Sequence, residues 1–284
     1  MYILILAFYI AFLAIVWYNI RKGGICMNDR LQTEGFVFEY MESQLESAVL
    51  WENHCHAQYE MIAVLEGDIS IMLEGIGYRL KENQAVIIPP LLYHAITANK
   101  RGTYRRVTAL FDVAAIPEVL QPQFLKKDAS LAIFSSDRIE ELKRICQEKD
   151  RAYYAPLAQS LMIQFCYQDA QTEQRDVGGQ TDSFLQQAIA YIDCHLSEKI
   201  LLDDLAKHTA RSKSSLCHLF QEKMNISPKQ YILQKKVALA IKLIRDGTPA
   251  TVAAMQVGYE NYSNFYRIYQ NLVKSNPSME KTPK

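Results

Sequence analysis

The chain has 284 residues, 49% of them hydrophobic and 22% charged, with a formal net charge of zero; that is enough chain for two cores and argues against a disordered, collagen-like or low-complexity protein. The zero conceals an asymmetry: residues 27–181 carry 15 Lys and Arg against 22 Asp and Glu, and residues 182–284 carry 14 against 9, so only the C-terminal part suits a polyanion. Six cysteines, Cys26, Cys55, Cys146, Cys166, Cys194 and Cys217, show no C-x-x-C spacing, which speaks against a disulfide framework or zinc finger and for reduced thiols.

Met1 to Ile20 contains no charged residue, and as a helix it would extend about 30 Å, enough for a bilayer core. Arg21 and Lys22 would then hold the remainder on the cytoplasmic side, and the segment lacks the cleavage site of a secretory signal. Two readings of residues 1–26 stay open: a membrane tether, or a reading frame extended upstream of a start at Met27. Both leave the functional domains in the cytoplasm.

Short runs rich in β-branched and aromatic residues follow: Phe36 to Tyr40, Tyr59 to Leu65, Ile69 to Leu73, Ala85 to Ile88 and Arg106 to Phe111. Gly67-Asp68, Gly75 to Gly77, Glu82-Asn83 and Pro89-Pro90 punctuate them, which predicts a sandwich or barrel of short strands. Within it, alternation along one strand would put His54, His56 and Glu60 on one face and turn Cys55 away. A neighbouring strand bearing His94 would complete three imidazoles and a carboxylate, which reads as a ligand set for a divalent transition metal, as the polar lining of an effector pocket, or as histidines merely satisfied within the barrel. The spacing H-x-H-x3-E-x6-G with a later Pro and His resembles the two cupin motifs. The second is degenerate: Asn83 stands for its opening Gly, Leu91 for its inner Gly and Ala98 for its closing Asn.

Asp137 to Asp150 and Leu157 to Cys166 read as two helices packed on the barrel, and residues 171–181, with a Gly pair and no periodicity, as a linker. The expected division is therefore an effector-binding and dimerisation domain over 27–170 and a second domain over 182–284.

An Asp182/Ser183 cap opens a helix with a stripe of Phe184, Ala188, Ile192 and Leu196. Leu202 to His208, a break at Thr209-Ala210-Arg211, and a helix opened by Ser212 come next. In that helix Leu216, Leu219 and Phe220 face a core, leaving Lys213, Ser214, Cys217, His218 and Gln221 outside. A second copy lies downstream: Ala254 to Gly258 parallels Ala206 to Ala210 at an offset of 48, and Phe265, Tyr269 and Pro277 parallel Leu216, Phe220 and Pro228 at an offset of 49. Such duplication is harder to obtain by chance than one motif. Between the copies, Pro228 to Arg245 is a continuous helical pattern with Pro in its first turn and Gly247 beyond its end. It would extend about 27 Å, able to hold two recognition helices near the ~34 Å that separates successive major grooves.

Asp204-Leu205-Ala206, Ser212, Leu219-Phe220, Ser227-Pro228, Val257-Gly258-Tyr259, Phe265-Tyr266-Arg267 and Pro277 resemble the tandem helix-turn-helix domain of AraC-type regulators, and the cupin-like front resembles their sensor half. The resemblance implies an α+β, two-domain chain: a cupin-like β-barrel with packed helices, then an all-α tandem helix-turn-helix domain. It implies a DNA-binding transcription regulator, more often an activator. Its partners would be double-stranded promoter DNA, a small effector such as a sugar or other catabolite, RNA polymerase, and a second copy in a homodimer. Base readers would be Ser214, Cys217 and His218 in the first unit and Tyr262, Ser263, Asn264 and Arg267 in the second, with Arg267 suited to G edges and Asn264 to A edges. Lys213, Lys223, Lys229 and Lys236 would reach phosphates. Ala210 and Lys274 stand where the family has Gly, and Lys236 where it has Arg. Two other readings remain: a metal-dependent cupin enzyme with a helical appendage, and a membrane-tethered regulator.

Overall fold

The computed structural model describes residues 26–33, 35–50, 53–124, 133–135, 137–148, 150–171 and 182–277. The apolar segment 1–25 and linker positions 172–181 lie outside the described residues, and with them the tether and linker expectations. Among the described residues no helix is long and apolar enough to cross a membrane.

The first half is strand: β1 (Cys26–Gln32), β2 (Phe36–Leu45), β3 (Val49–Leu50), β4 (Tyr59–Glu66), β5 (Ile69–Leu73), β6 (Ile76–Leu80), β7 (Gln84–Ile88), β8 (His94–Ala98), β9 (Gly102–Phe111) and β10 (Ile133–Ser135). Antiparallel pairing gives a six-stranded sheet, β1-β2-β9-β4-β7-β10, and a four-stranded sheet, β3-β8-β5-β6. Alternating side chains build two cores. Met41, Ile62, Val64, Val86 and Ile88 of the larger sheet meet Ile69, Ile71, Leu73, Tyr78 and Ile96 of the smaller one, which packs the two sheets face to face as a flattened, two-sheet barrel. Their alternates Phe36, Phe38, Tyr40, Met61, Ala63 and Phe111 point outward under helices.

Those helices follow a short α1 (Gln121–Phe124): α2 (Ile139–Gln147) and α3 (Arg151–Gln171). Ile139, Leu142 and Ile145 of α2 and Leu161, Met162 and Phe165 of α3 cover the sheet, as the spacing in both segments predicts.

The hairpin between β5 and β6 turns on two residues, Glu74 (φ 47°) and Gly75 (φ 83°), with Leu73 paired to Ile76. Positive φ at both positions marks a type I′ turn, whose twist suits the flanking strands.

The second half is helical: α4 (Ser183–Cys194), α5 (Leu202–His208), α6 (Lys213–Met224), α7 (Pro228–Arg245), α8 (Ala250–Gln256) and α9 (Tyr262–Val273). Asp182 caps α4 by accepting from the Phe184 and Leu185 amides. Ser212 caps α6, and Ser227 and Gln230 form a reciprocal capping box ahead of Pro228 on α7. Ala188, Ile192 and Leu196 of the expected stripe are buried, and only its first member differs. Leu185 is 1% exposed, whereas Phe184 is half-buried under the Arg211 guanidinium, 3.8 Å from its ring centre.

The duplication is visible in the backbone. α5-turn-α6 and α8-turn-α9 each pass a left-handed residue in the turn, Ala210 (φ 51°) and Gly258 (φ 77°), and each long helix ends on another, Asn225 (φ 52°) and Lys274 (φ 58°).

Candidate functional site

On α6 the inward residues Leu216 and Phe220 are 1% and 0% exposed, while Lys213, Ser214, Cys217 and His218 are exposed. On α9 Phe265 and Tyr269 are buried, Ser263, Asn264 and Arg267 are exposed, and Tyr262 is half-buried. Both helices thus present the residues that sequence reasoning placed outside. Arg267 donates to the Asn264 side-chain oxygen at 3.2 Å, so the two groups with the most specific base geometry stand side by side. Lys213 pairs with Asp203 at 2.7 Å, and Lys223 with Glu222 at 2.9 Å; both pairs are exposed and open to exchange for phosphate. Lys229 is exposed at the start of α7.

Lys236 does not join them. It is 5% exposed, and its ammonium donates to the carbonyls of Glu198 at 2.5 Å and Val257 at 2.6 Å. Burial pushes its pKa down to about 8. The expectation of a phosphate contact is corrected: Lys236 ties the α4–α5 loop to the turn of the second unit. A Cβ on Gly258 would fall 2.7 Å from the Glu198 carbonyl oxygen and 2.8 Å from the Lys236 Nζ, so this junction admits only glycine.

Between the two sheets, with Glu60 on β4 of the larger and His94 on β8 of the smaller, His54, His56, Glu60 and His94 converge, one ligand atom from each lying within 4.8 Å of the others. Strand alternation is not the reason. β4 begins only at Tyr59, residues 55–58 are loop, and His54 pairs with His94 across a single bridge. Glu60 Oε2 lies 3.1 Å from His56 Nε2 and 3.0 Å from His94 Nε2. The opposite ring nitrogens face carbonyls, His56 Nδ1 at 2.8 Å from Gln58 O and His94 Nδ1 at 2.9 Å from Leu92 O. A carbonyl only accepts, so Nδ1 carries the proton on both rings and both Nε2 atoms point at the carboxylate. Burial alone would raise the Glu60 carboxyl, but hydrogen bonds and charge from His56 and His94 outweigh it and hold the pKa well below the ordinary carboxylate value. Glu39, Thr108 and Arg106 are buried in the same barrel, and Arg106 donates to the Tyr104 hydroxyl at 3.4 Å. Sequence reasoning missed these polar groups, although their alternation with Phe38, Tyr40, Val107 and Ala109 was readable.

A family model described as the AraC-like ligand binding domain matches residues 38–187, and one described as a helix-turn-helix domain matches residues 205–281. The chain belongs to the AraC family. Among curated AraC-family relatives, the HTH-type transcriptional regulator YdiP of Escherichia coli is 23% identical over 246 residues, 80% of each chain. The regulatory protein SoxS of the same species is 30% identical over 95 residues, covering 33% of this chain and 89% of its own. A solved structure, unsaturated fatty acid-bound ToxT from Vibrio cholerae, covers 88% of this chain and 95% of its own at 11% identity and a TM-score of 0.42, a likeness too distant to carry residue-level meaning. The chain is accordingly a transcription regulator with a ligand-binding half and a DNA-binding half.

The two halves of this AraC-family chain meet in a polar seam that nothing local in the sequence announces. Glu74, at the hairpin tip, accepts from the Tyr93 amide at 2.9 Å, the Tyr231 hydroxyl at 2.7 Å and the Lys235 ammonium at 3.1 Å. Its carbonyl accepts from the Gln186 side chain at 2.9 Å. Lys235 also reaches Asp193 at 2.8 Å and the Leu91 carbonyl at 2.8 Å, and Asn53 donates to the carbonyl of Met224, the last residue of α6. Glu74 and Asp193 keep Lys235 charged against the pull of burial, while burial pushes the Glu74 carboxyl upward against Lys235. Cys55, turned away from the imidazoles as expected, lies in the same apolar contact; burial pushes its thiol up to about 12, which removes it from thiolate chemistry.

Proposed function

We propose that this chain regulates promoter DNA in the cytoplasm and that its sensor half responds to a divalent transition metal ion held by His54, His56, Glu60 and His94. The pair of Nδ1–carbonyl contacts carries the reading. With Nδ1 protonated on both rings, each Nε2–Glu60 contact needs a further proton, and a divalent cation replaces both protons at equal charge. Carbonyl contacts behind ligating imidazoles also fix tautomer and ring orientation at metal centres. Titrating the full-length protein with Co2+ should give visible absorption that saturates at one ion per chain and disappears in His56→Ala. An unchanged spectrum at stoichiometric Co2+ would sink the assignment.

On the DNA side, Arg267 and Asn264 read bases together with Tyr262 and Ser263, and Ser214, Cys217 and His218 read from the first unit. Lys213, Lys223 and Lys229 hold phosphates. Arg267→Ala should cost about 1–3 kcal/mol of discrimination at one base pair. Weakening that is equal for all sequences, measured by titration against a set of single-base variants at fixed salt, would instead make Arg267 a phosphate contact.

A second reading is favoured by the buried Glu39, Arg106, Tyr104 and Thr108 beside Glu60, which suit a small hydroxylated effector such as a sugar or other catabolite. Thermal stabilisation of the full-length protein by such a compound, with Co2+ without effect, would favour it over the metal. In either case the site serves sensing rather than turnover, because the segments that carry it also grip the DNA-binding half.

A further inference from the structure

The seam joins the sensor to one half of the DNA-binding domain. Tyr93, Cys55 and Met72 of the sensor share an apolar core with Leu185, Ile192, Leu216, Phe220, Met224 and Tyr231, which is the core of the first helix-turn-helix unit. The core of the second unit, around Val237, Ala254, Val257, Phe265 and Tyr269, is drawn from α7, α8 and α9 and their turns among the described residues. Polar contacts follow the same division. Asn53 holds the end of α6, and Glu74 and Leu91 hold the first half of α7 through Tyr231 and Lys235. Towards the end of α7 the sensor contributes a longer ion pair, Arg245 to Asp112 at 3.8 Å.

We propose that the sensor controls the first helix-turn-helix unit and leaves the second free, with the Glu74-Gly75 turn as the latch that holds the first unit back. The inference rests on the DNA-reading assignment above. α7 has 18 residues and rises about 27 Å, so the two recognition helices reach successive major grooves, ~34 Å apart on one face of DNA, only where both units are free to settle on α7. The first unit cannot swing while Asn53 holds its α6 terminus and the hairpin tip is wedged against α4; a Cβ on Gly75 would lie 2.5 Å from Leu185 Cδ2. Among the described residues the core of the second unit takes in no sensor side chain, and the sensor meets its end of α7 through the longer Arg245–Asp112 pair, so the second unit finds DNA first and the first unit engages when the latch opens.

The segments that form the latch are also those that carry the imidazole cluster. Asn53 adjoins His54 and Tyr93 adjoins His94. Leu91 donates its amide to the His56 carbonyl at 2.8 Å while its own carbonyl accepts from Lys235. A rearrangement at the cluster is thus one peptide away from α7, and this contiguity supplies the path by which occupancy would reach DNA.

Hydroxyl-radical footprinting tests the latch with full-length protein on a duplex selected from a random pool by that protein. Wild type should protect one patch fully and a second, about one helical turn away, only in about a tenth of the complexes however much protein is added. The patch lost in Arg267→Ala identifies the second unit. Glu74→Gln loosens the latch without stranding a charge, since Asp193 still pairs with Lys235, and Gly75→Ala loosens it by a steric route. Both variants should protect the two patches to the same extent. Identical footprints for wild type and both variants, or a change confined to the second unit's patch, would overturn the proposal. Absence of protection by every protein at low salt would strike the DNA-reading assignment and the latch with it. Neither arm contains metal, so failed cobalt binding leaves the latch standing.

Discussion

Lys235→Met alone should destabilise the full-length chain by about 3–5 kcal/mol, and Lys235→Met combined with Glu74→Gln should recover most of that loss. The side chains of Lys235 and Glu74 are 2% and 3% exposed, so removing the ammonium strands a carboxylate where water cannot reach it. The Tyr93 amide and Tyr231 hydroxyl still donate to Glu74, but they carry no full charge. Deleting both charges with Gln at 74 leaves a neutral side-chain oxygen that can still accept from the Tyr93 amide and the Tyr231 hydroxyl. Urea denaturation of the four proteins of this cycle provides the measurement; equal losses for the single and double variants would show that the charge pair is not what holds the seam. The pH dependence has a definite sign. Burial raises the Glu74 carboxyl above its ordinary value, so the fold favours its protonated form. The stability this contributes is present below the ordinary carboxylate pKa and fades as pH rises through the raised one. Lys235→Met should therefore approach wild type at acidic pH and fall furthest behind near neutrality.

Phe265→Ala should cost about 3–5 kcal/mol and confine the damage to the second unit. Phe265 is 0% exposed, and its ring centre lies 5.4 Å from that of Tyr259, 5.9 Å from Tyr262 and 5.7 Å from Tyr269, so truncation opens a cavity inside a small aromatic cluster. Differential scanning calorimetry of the full-length variant should show an early transition for the second unit, with cobalt binding at the barrel preserved. Phe220→Ala removes the equally buried partner in the first unit, whose core includes Tyr93 and Met72 of the sensor. It should lower the main transition and disturb the seam together. Indistinguishable thermograms for the two variants would contradict the separation of the cores.

Much of the fold is legible where local chemistry and periodicity agree. The caps at Asp182, Ser212 and Ser227, the stripe of α6 and the uninterrupted pattern of α7 each place an element without reference to the rest. The departures from glycine are more instructive. Asn83, Leu91, Ala210 and Lys274 stand where the resemblances imply Gly, and each has a left-handed backbone, with φ of 59°, 67°, 51° and 58°. A side chain in that region costs roughly 1–2 kcal/mol, so the surrounding contacts must over-determine it.

What sequence reasoning missed lies in long-range pairing. Glu74 and Lys235 are 161 residues apart, and nothing near either one names the other. One signal was present: Tyr231, Lys235 and Ala238 fall at i, i+4 and i+7 of α7, and a lysine inside an apolar stripe requires a buried acidic partner. Lys236 misled for a related reason. A cation on a helix between two DNA-reading units reads as a phosphate contact unless one knows that two carbonyls already surround it. The imidazole cluster was found for the wrong geometric reason, since convergence came from a loop crossing to β8 rather than from one strand's face.

The shared core of sensor and first unit limits how this regulator can be recombined with others. A hybrid joined within residues 171–181 would transplant the DNA-binding half intact, yet leave Glu74, Asn53, Met72 and Tyr93 facing a foreign α6 and α7. Such a chimera would inherit its operator from one parent and lose its responsiveness from both. The portable module is the DNA-binding half together with the β5–β6 hairpin tip and the Leu91–His94 segment, a boundary drawn through space and not through the chain.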